Sequence, residues 1–173
     1  LAAMVAGLTI GKKGYEDTGE IMKHIQTLAL TQKTGFVVDI DRDSEAYNKV
    51  FDCFKLPKST DEEKKIRTAA IQEATKFAAL VPMQVARNAY ELMGIIADVA
   101  KMGNRNAVTD ACVAMISARS AVLAALMNVR INLGSLKDRT FVEQLQSEAD
   151  ELERKACIKE KELLDAINQD LRI

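Results

Sequence analysis

The segment Asp39-Ile40-Asp41-Arg42-Asp43 concentrates carboxylates that could transfer protons. On a helix, Asp43 shares a face with Tyr47 and Val50, so it could face the interior of a bundle. A carboxylate held among apolar side chains has its pKa raised and can exchange protons near neutral pH. The alternative is a solvated acidic patch, which the spacing alone favours because charged residues are seldom buried.

A second candidate carboxylate stands where two long helices join. The segment from Gly103 to Asp110 connects them, and Asp110 falls in the first turn of a nearly all-apolar stretch. Its position and polarity make Asp110 a candidate functional residue. The alternative is that Asn106 or Thr109 caps the helix, while Asp110 interacts favourably with the helix dipole.

Two side-chain amides lie near the end of that apolar helix. Asn128 and Asn132 are four residues apart, so they share one face. An amide donates and accepts hydrogen bonds at once, which suits a heterocycle with amide edges. The alternative is a solvated helix end.

A pair of lysines stands between two glycines near the N-terminus, in Gly11-Lys12-Lys13-Gly14, and Tyr15 follows. Two lysines in a tight turn suit the carboxylate or phosphate tail of a ligand. The alternative is an ordinary solvated loop.

The composition argues against several classes of function. Lys and Arg number 24 and Asp and Glu 25, so the charge gives no argument for binding nucleic acid or an anionic membrane. Three widely spaced cysteines and one histidine argue against a zinc site and a disulfide framework, and they predict a reducing, cytoplasmic location. No apolar run approaches the roughly 20 residues that cross a bilayer, so no membrane is expected.

The elements that position these candidates are long helices. Only 2 prolines and 8 glycines interrupt 173 residues, and apolar residues recur at helical spacing. Thr60 and Glu63 form a capping box, and Gly103 is expected to end a helix in the left-handed conformation. We predict an all-α fold: a multi-helix bundle of five to seven long helices in a single domain over residues 1–173, with the helix from Asn106 to Leu133 at its centre.

Six short segments together carry a resemblance to a known family. The sequence resembles the cyclodeaminase/cyclohydrolase family of folate enzymes. This family includes the C-terminal half of formiminotransferase-cyclodeaminase and free-standing bacterial methenyltetrahydrofolate cyclohydrolases. Each segment is weak alone, but together they follow the family's order over essentially the whole chain. The segments are Leu8–Asp17, Asp43–Tyr47, Leu56–Lys58 with Thr60–Lys64, Val81–Met83, Gly103–Asp110 and Asn128–Leu133.

The resemblance implies a compact helical bundle, usually a homodimer, that binds folate in a cleft. It implies one of two reactions. The cyclodeaminase converts 5-formiminotetrahydrofolate to 5,10-methenyltetrahydrofolate and ammonia, and the cyclohydrolase interconverts 5,10-methenyl- and 10-formyltetrahydrofolate. Neither requires a metal or a redox cofactor. The deaminase is usually coupled to a glutamate formiminotransferase in histidine degradation, so functional coupling to that enzyme is a further expectation.

The resemblance also implies a role for each candidate residue. Asp43 matches the acidic position of the family's Asp-x-Glu-Ala-aromatic motif and is expected to move protons at N10 of folate and at the leaving group. Asp110 is expected to orient the pterin or to tune Asp43 through like-charge coupling. The remaining candidates are expected to bind substrate, the amides at the pterin and the lysine turn at the glutamate tail: Asn104, Asn128, Asn132, Lys12, Lys13 and Tyr15.

Three functions remain open. Closeness to the cyclodeaminase half places cyclodeaminase slightly ahead, while a free-standing chain favours cyclohydrolase. A helical interaction module that kept the fold and lost the activity is the third. The family also begins with a glycine-rich segment that would precede Leu1, so part of the substrate pocket is expected to lie outside this sequence.

Overall fold

Five α-helices and two short 3₁₀ turns make up the fold in a computed structural model that describes residues 1–171. No strand occurs among these residues, which confirms the predicted all-α class. Residues 172 and 173, included in the predicted domain, lie outside the described part. The helices are α1 (Ala2–Gly7), α2 (Gly19–Cys53), α3 (Asp61–Met102), α4 (Val108–Leu133) and α5 (Arg139–Leu171), and the 3₁₀ turns cover Glu16–Thr18 and Arg105–Ala107.

The helix α3 is the central element of the bundle. It packs along both α2 and α4, while α5 covers another side of α4 and the short α1 bridges the ends of α2, α3 and α4. Methionines fill much of the core, because their flexible side chains adapt to irregular gaps between helices. The fully buried ones are Met22, Met83, Met93 and Met115. The predicted central place of α4 is therefore wrong: one of its faces remains exposed although the helix is almost entirely apolar.

The start of α3 is fixed by the predicted capping box, which the structure confirms. The backbone N–H of Glu63 donates to Thr60 Oγ1 at 3.2 Å, and the Glu63 carboxylate accepts from the backbone N–H of Thr60 at 3.0 Å. The hydrogen bond from the Thr60 N–H, and after it one from the Ser59 N–H at 2.7 Å, lower the pKa of Glu63. Because a cap of this kind contributes about 1 kcal/mol, it sets where the hairpin between α2 and α3 ends.

Gly103 ends α3 differently from the prediction. Its φ of −82° and ψ of 179° are extended and not left-handed. A Cβ at this position would lie 2.4 Å from the carbonyl oxygen of Val99 and 3.3 Å from Val5 Cγ1. Glycine is required here because the backbone of α3 and the side chain of α1 leave no room for a side chain.

Candidate functional site

The predicted site residues fall into two groups at opposite ends of the bundle. Ala46 of α2 packs on Ala78 and Val81 of α3, and Val81 lies about 33 Å along α3 from Gly103 at 1.5 Å per residue. A pterin with its reacting carbon cannot contact both groups within one chain. The corner group lies where α3 meets α4 and consists of Lys12, Lys13, Tyr15, Asn104 and Asp110. The hairpin group lies towards the turn between α2 and α3 and consists of Asp43, Asn128 and Asn132.

Three hydrogen bonds hold the corner group together. The backbone N–H of Asn104 donates to Thr9 Oγ1 at 2.8 Å, its side-chain amide donates to the carbonyl of Leu8 at 3.3 Å, and the backbone N–H of Arg105 donates to the Tyr15 hydroxyl at 3.0 Å. The side-chain carbonyl of Asn104 accepts a further backbone N–H at 3.1 Å. The buried amide of Asn104 thus fastens the N-terminal segment to the corner, and its binding of a pterin stays a prediction.

The lysine pair forms the predicted turn. Gly11 and Gly14 have φ values of +71° and +86°, a conformation that favours glycine. The backbone N–H of Gly14 donates to both carboxylate oxygens of Glu16, and this bond lowers the pKa of Glu16. Lys12 is half-buried and Lys13 exposed. Neither forms an ion pair with a residue in the described range, so both ammonium groups are available to an anion.

Asp110 lies half-buried in the first turn of α4. The predicted cap by Asn106 or Thr109 is absent, because Ala107 occupies the N-cap position. The Asn104 side chain instead caps the preceding 3₁₀ turn. Asp110 is placed to interact with the dipole of α4, and its predicted role towards Asp43 finds no support within one chain, because the two lie at opposite ends.

Asp43 is exposed, as the solvated alternative favoured by the spacing expected, and the interior position considered for it is wrong. The helical period puts Asp43 on the same stripe as Asp39 and Ala46, which are both buried. The difference arises because no described element covers the stripe at the position of Asp43. Its carboxylate therefore meets solvent beside a line of packed residues, where a ligand can reach it.

Asp39 is a buried carboxylate that sequence reasoning treated only as part of an acidic patch. Its side chain is 8% exposed and accepts from Arg42 Nη1 at 2.9 Å. Asp39 is the only buried Asp or Glu among residues 1–171. Two features of the sequence could have indicated this burial. Asp39 lies seven residues before Ala46, hence on the same side of the helix, and Arg42, three residues after it, can neutralise its charge.

Asn132 and Asn128 share a face near the end of α4, as predicted. The Asn132 amide nitrogen donates to the carbonyls of Ala78 and Asn128, both at 3.0 Å. Its side-chain oxygen has no hydrogen-bond partner among the residues described, so it remains an acceptor. Asn128 is exposed. Because Ala78 packs on Ala46, Asn132 lies about one helical turn from the level of Asp43.

Aromatic side chains line the end of α2 beyond Asp43. The inward-facing position considered for Tyr47, on one face with Asp43, is wrong. Tyr47, Phe51 and Phe54 are 68%, 51% and 53% exposed. The rings of Tyr47 and Phe51 stack with centroids 6.4 Å apart and an 11° interplanar angle. We call these three residues the aromatic flank.

Two surface grooves lie elsewhere. One, of about 370 Å³ between α1, α2 and α3, runs past Lys33 and Phe36 and ends at Ile40, less than one turn before Asp43. The other, of about 790 Å³, lies between the ends of α3 and α5. None of the predicted site residues lines either groove. Sequence reasoning could not find the grooves because they depend on how far apart the helices lie.

Metal ligands do not cluster in the described residues. In the range 1–171, no three His, Cys, Asp or Glu side chains come together in a way that could hold a metal ion. Cys53, Cys112 and Cys157 are free thiols. Burial raises the pKa of the Cys112 thiol, which disfavours the reactive thiolate there.

Comparison with known proteins identifies the family. The sequence profile described as Formiminotransferase-cyclodeaminase matches residues 1–151. A methenyltetrahydrofolate cyclohydrolase from Methylorubrum extorquens is 40% identical over 88% of this chain and 73% of its own length. The chain belongs to the formiminotransferase-cyclodeaminase family. The resemblance carried by the six sequence segments is thereby confirmed.

Other family members extend the comparison. A formimidoyltransferase-cyclodeaminase from Gallus gallus is 32% identical over 82% of the chain, which spans only 26% of that relative. The crystal structure of a formiminotetrahydrofolate cyclodeaminase from Thermotoga maritima superposes with a TM-score of 0.81 at 31% identity, covering 96% of this chain and 80% of the other. This chain is a folate one-carbon enzyme of the cyclodeaminase/cyclohydrolase family.

Proposed function

We propose that this chain is a methenyltetrahydrofolate cyclohydrolase, which hydrolyses 5,10-methenyltetrahydrofolate to 10-formyltetrahydrofolate. The supporting observation is the 40% identity to the Methylorubrum extorquens cyclohydrolase over 88% of this chain and 73% of that relative. The sequence alone placed cyclodeaminase slightly ahead. The higher identity favours the reverse order, because the Gallus gallus and Thermotoga maritima cyclodeaminase relatives are only 32% and 31% identical to this chain.

Asp43 is the proposed general base. A water molecule attacks the carbon that bridges N5 and N10, and Asp43 accepts the proton that the water loses. The tetrahedral carbon then breaks its bond to N5, N5 takes up a proton, and the hydroxyl loses its proton as the formyl carbonyl forms. General acid–base help of this kind contributes roughly 10²–10⁴-fold. The exposure of Asp43 supports the assignment, since its carboxylate can approach a bound substrate.

Cyclodeaminase is the second candidate, favoured by the superposition on the Thermotoga maritima enzyme. The two reactions share a tetrahedral carbon between N5 and N10, so the same base could serve either. In the deaminase, N10 attacks the formimino carbon and loses a proton, and ammonia gains one as it leaves. Functional coupling to a glutamate formiminotransferase is expected only in this case.

Homodimer formation is part of the proposal, and the exposed face of α4 supports it. We define the α4 stripe as the exposed positions Val113, Ile116, Ser120, Ala124, Met127 and Ile131, none of which carries a charge. The charged Arg119 and Arg130 point to α5, where they pair with Glu160 and Glu153. A second copy of the same neutral face is the matching partner, because it would cover apolar area without desolvating a charge.

The same helix raises the question of a membrane. Contrary to the sequence-based expectation that no apolar run is long enough, the segment Arg105–Leu133 could cross one by length and composition alone. In its most apolar 18-residue stretch, 39% is buried. Core helices of soluble proteins also meet this criterion. The expectations of a cytoplasmic location and of no membrane contact stay predictions.

The proposed reaction is tested by absorbance at the methenyltetrahydrofolate band with two substrates in parallel. A faster fall from 5,10-methenyltetrahydrofolate than without protein supports cyclohydrolase. A rise from 5-formiminotetrahydrofolate, together with ammonia release, supports cyclodeaminase instead. If neither signal changes and tetrahydrofolate does not raise the unfolding temperature, the remaining reading is a non-catalytic interaction module.

A further inference from the structure

The end of α2 presents three chemical types in a fixed order along one side. Four residues fall within an arc of about 80° around the helix, at 100° per residue: Asp43, Tyr47, Phe51 and Phe54. All four side chains are exposed. The order along the helix is a carboxylate, then the aromatic flank, then the cation of Lys55. In this part of α2, Ala46 and the half-buried Val50 pack on α3, and none of these four side chains belongs to that packed cluster.

Exposed aromatic rings are concentrated on this side. The chain contains 5 Phe and 3 Tyr, and only Phe77 is exposed outside the aromatic flank. Phe77 lies on the opposite side of α2, where Lys49 Nζ stands 4.5 Å from its ring centroid. A cluster of exposed rings marks an interaction surface, and a flat aromatic ligand can stack on such rings.

Cations flank the rings at the far end. Lys55 Nζ lies 4.6 Å from the Phe51 ring centroid and also pairs with Asp52 at 2.7 Å. Arg67 of α3 lies 5.5 Å from the Phe54 ring centroid and donates to the Phe54 carbonyl at 3.2 Å. No described carboxylate pairs with Arg67. The guanidinium therefore keeps donors free for an anion beside an aromatic surface.

We propose that this side of α2 binds the aminobenzoyl-glutamate half of the substrate, with the aminobenzoyl ring stacked on Tyr47 and the glutamate tail directed to Lys55 and Arg67. The inference rests on the proposed folate chemistry and deepens it. In folate, N10 is bonded to the aminobenzoyl ring, and the ring carries the glutamates. That order of reacting atom, ring and carboxylates matches the order of Asp43, aromatic flank and cations.

The spacing agrees with the proposed assignment. Along the axis of α2, Tyr47 lies about 6 Å from Asp43 and the last helical residue, Cys53, about 15 Å, and Lys55 follows two residues later. The ring therefore stacks one turn from the base, and the cations meet glutamates beyond the first. The lysine turn at Lys12 and Lys13 lies at the other end of the bundle, so it cannot bind the tail of a substrate that reacts at Asp43 of the same chain.

The test measures the Kd of tetrahydrofolate monoglutamate and pentaglutamate by calorimetry, with turnover of methenyltetrahydrofolate measured separately. The double variant Lys55→Gln/Arg67→Gln should weaken the pentaglutamate about tenfold, or about 1.4 kcal/mol, and the monoglutamate less than threefold. Tyr47→Ala should weaken both ligands by a similar factor, and Tyr47→Phe should restore binding, because the ring and not the hydroxyl is required. Lys49→Gln is the matched control, since its cation covers a ring on the opposite side.

Each alternative result of these measurements would overturn a specific part of the proposal. Equal losses for both tail lengths, or an equal loss in Lys49→Gln, would overturn the tail contact. A selective loss of pentaglutamate in Lys12→Gln/Lys13→Gln alone would move the tail to the corner group. If the wild type turns over substrate, but neither Lys55→Gln/Arg67→Gln nor Tyr47→Ala changes the Kd of either ligand, this inference is overturned and the proposed reaction stands. Tail-dependent binding without turnover of either substrate would overturn the proposed reaction and leave the binding surface standing.

Discussion

The carboxylate of Asp43 lies one turn beyond Asp39, a buried carboxylate that pairs with the exposed Arg42. Burying Asp39 is tolerable because Arg42 neutralises it at 2.9 Å. Of two carboxylates four residues apart, Asp39 is thus buried in the packing, and Asp43 is exposed where the proposed reaction would use it.

Asp43→Asn should lower turnover by about 100-fold or more, because the amide cannot accept the proton that the attacking water loses. The Kd of tetrahydrofolate should change by less than about tenfold. Steady-state rates and calorimetry measure the two effects. Asp41→Asn is the control, since this exposed carboxylate points to another side of the same helix, and near-normal rates in Asp43→Asn would remove Asp43 from its role.

For the individual helices, the sequence predicted where they form but not which of their sides are exposed. The capping box at Thr60 and the turn at Gly11 follow from local chemistry, so the sequence predicted both correctly. Gly103 was misassigned because the helical pattern shows where α3 stops, but not that a Cβ there would meet the Val99 carbonyl oxygen and Val5 of α1. Tyr47 was misassigned because helical period says which residues share a side, but not whether another element covers that side.

Gly103→Ala should destabilise the protein by about 2 kcal/mol or more, since the new Cβ would meet the Val99 carbonyl oxygen at 2.4 Å. Gly35→Ala should instead stabilise it by about 0.5–1 kcal/mol, because nothing lies within 4 Å and the site is inside α2. Urea unfolding compares the two. Equal effects of the two substitutions would contradict the tight approach at the corner.

The ion pair of Glu148 and Arg87 joins α5 to α3 and should make stability depend on pH. The hydrogen bond from Arg87 lowers the pKa of Glu148 from 4.5. A carboxylate with a lowered pKa stabilises the folded state above its unfolded pKa and loses this contribution as the pH falls through the folded pKa. The unfolding temperature of Glu148→Gln should therefore fall below that of the wild type most at neutral pH.

The difference should shrink as the pH falls below 4.5 and Glu148 becomes protonated. Thermal melts over a pH series measure it. Glu143→Gln on the same helix is the control, because Glu143 forms no ion pair within the described residues. A difference between Glu148→Gln and the wild type that stays constant across the series would show that charge is not its source.

In the whole molecule, the predicted site residues lie in two groups that are too far apart for one substrate to contact both within one chain. The sequence suggested all eight, because the segments that carry them occur together in the family. It could not show their separation, because that depends on α2 and α3 running antiparallel over their full lengths. The sequence also could not predict that the α4 stripe is exposed, since an all-apolar helix indicates burial but not which element or partner covers each face.

The α4 stripe should hold two copies together at micromolar concentration. Ile131, 75% exposed, lies at one end of the stripe, and Ile66 on α3 is 58% exposed outside it. Ile131→Glu should convert the dimer to a monomer, because it places a charge in an apolar interface. Ile66→Glu should leave the dimer intact. Analytical ultracentrifugation reports both, and a monomeric wild type would contradict the proposed interface.

The most direct test of the proposed reaction is the decay of 5,10-methenyltetrahydrofolate absorbance in the presence of the wild-type protein. We predict a decay rate that exceeds the uncatalysed rate in proportion to the protein concentration and yields 10-formyltetrahydrofolate. A decay rate equal to that of buffer alone, at every protein concentration, would contradict the assignment as a cyclohydrolase.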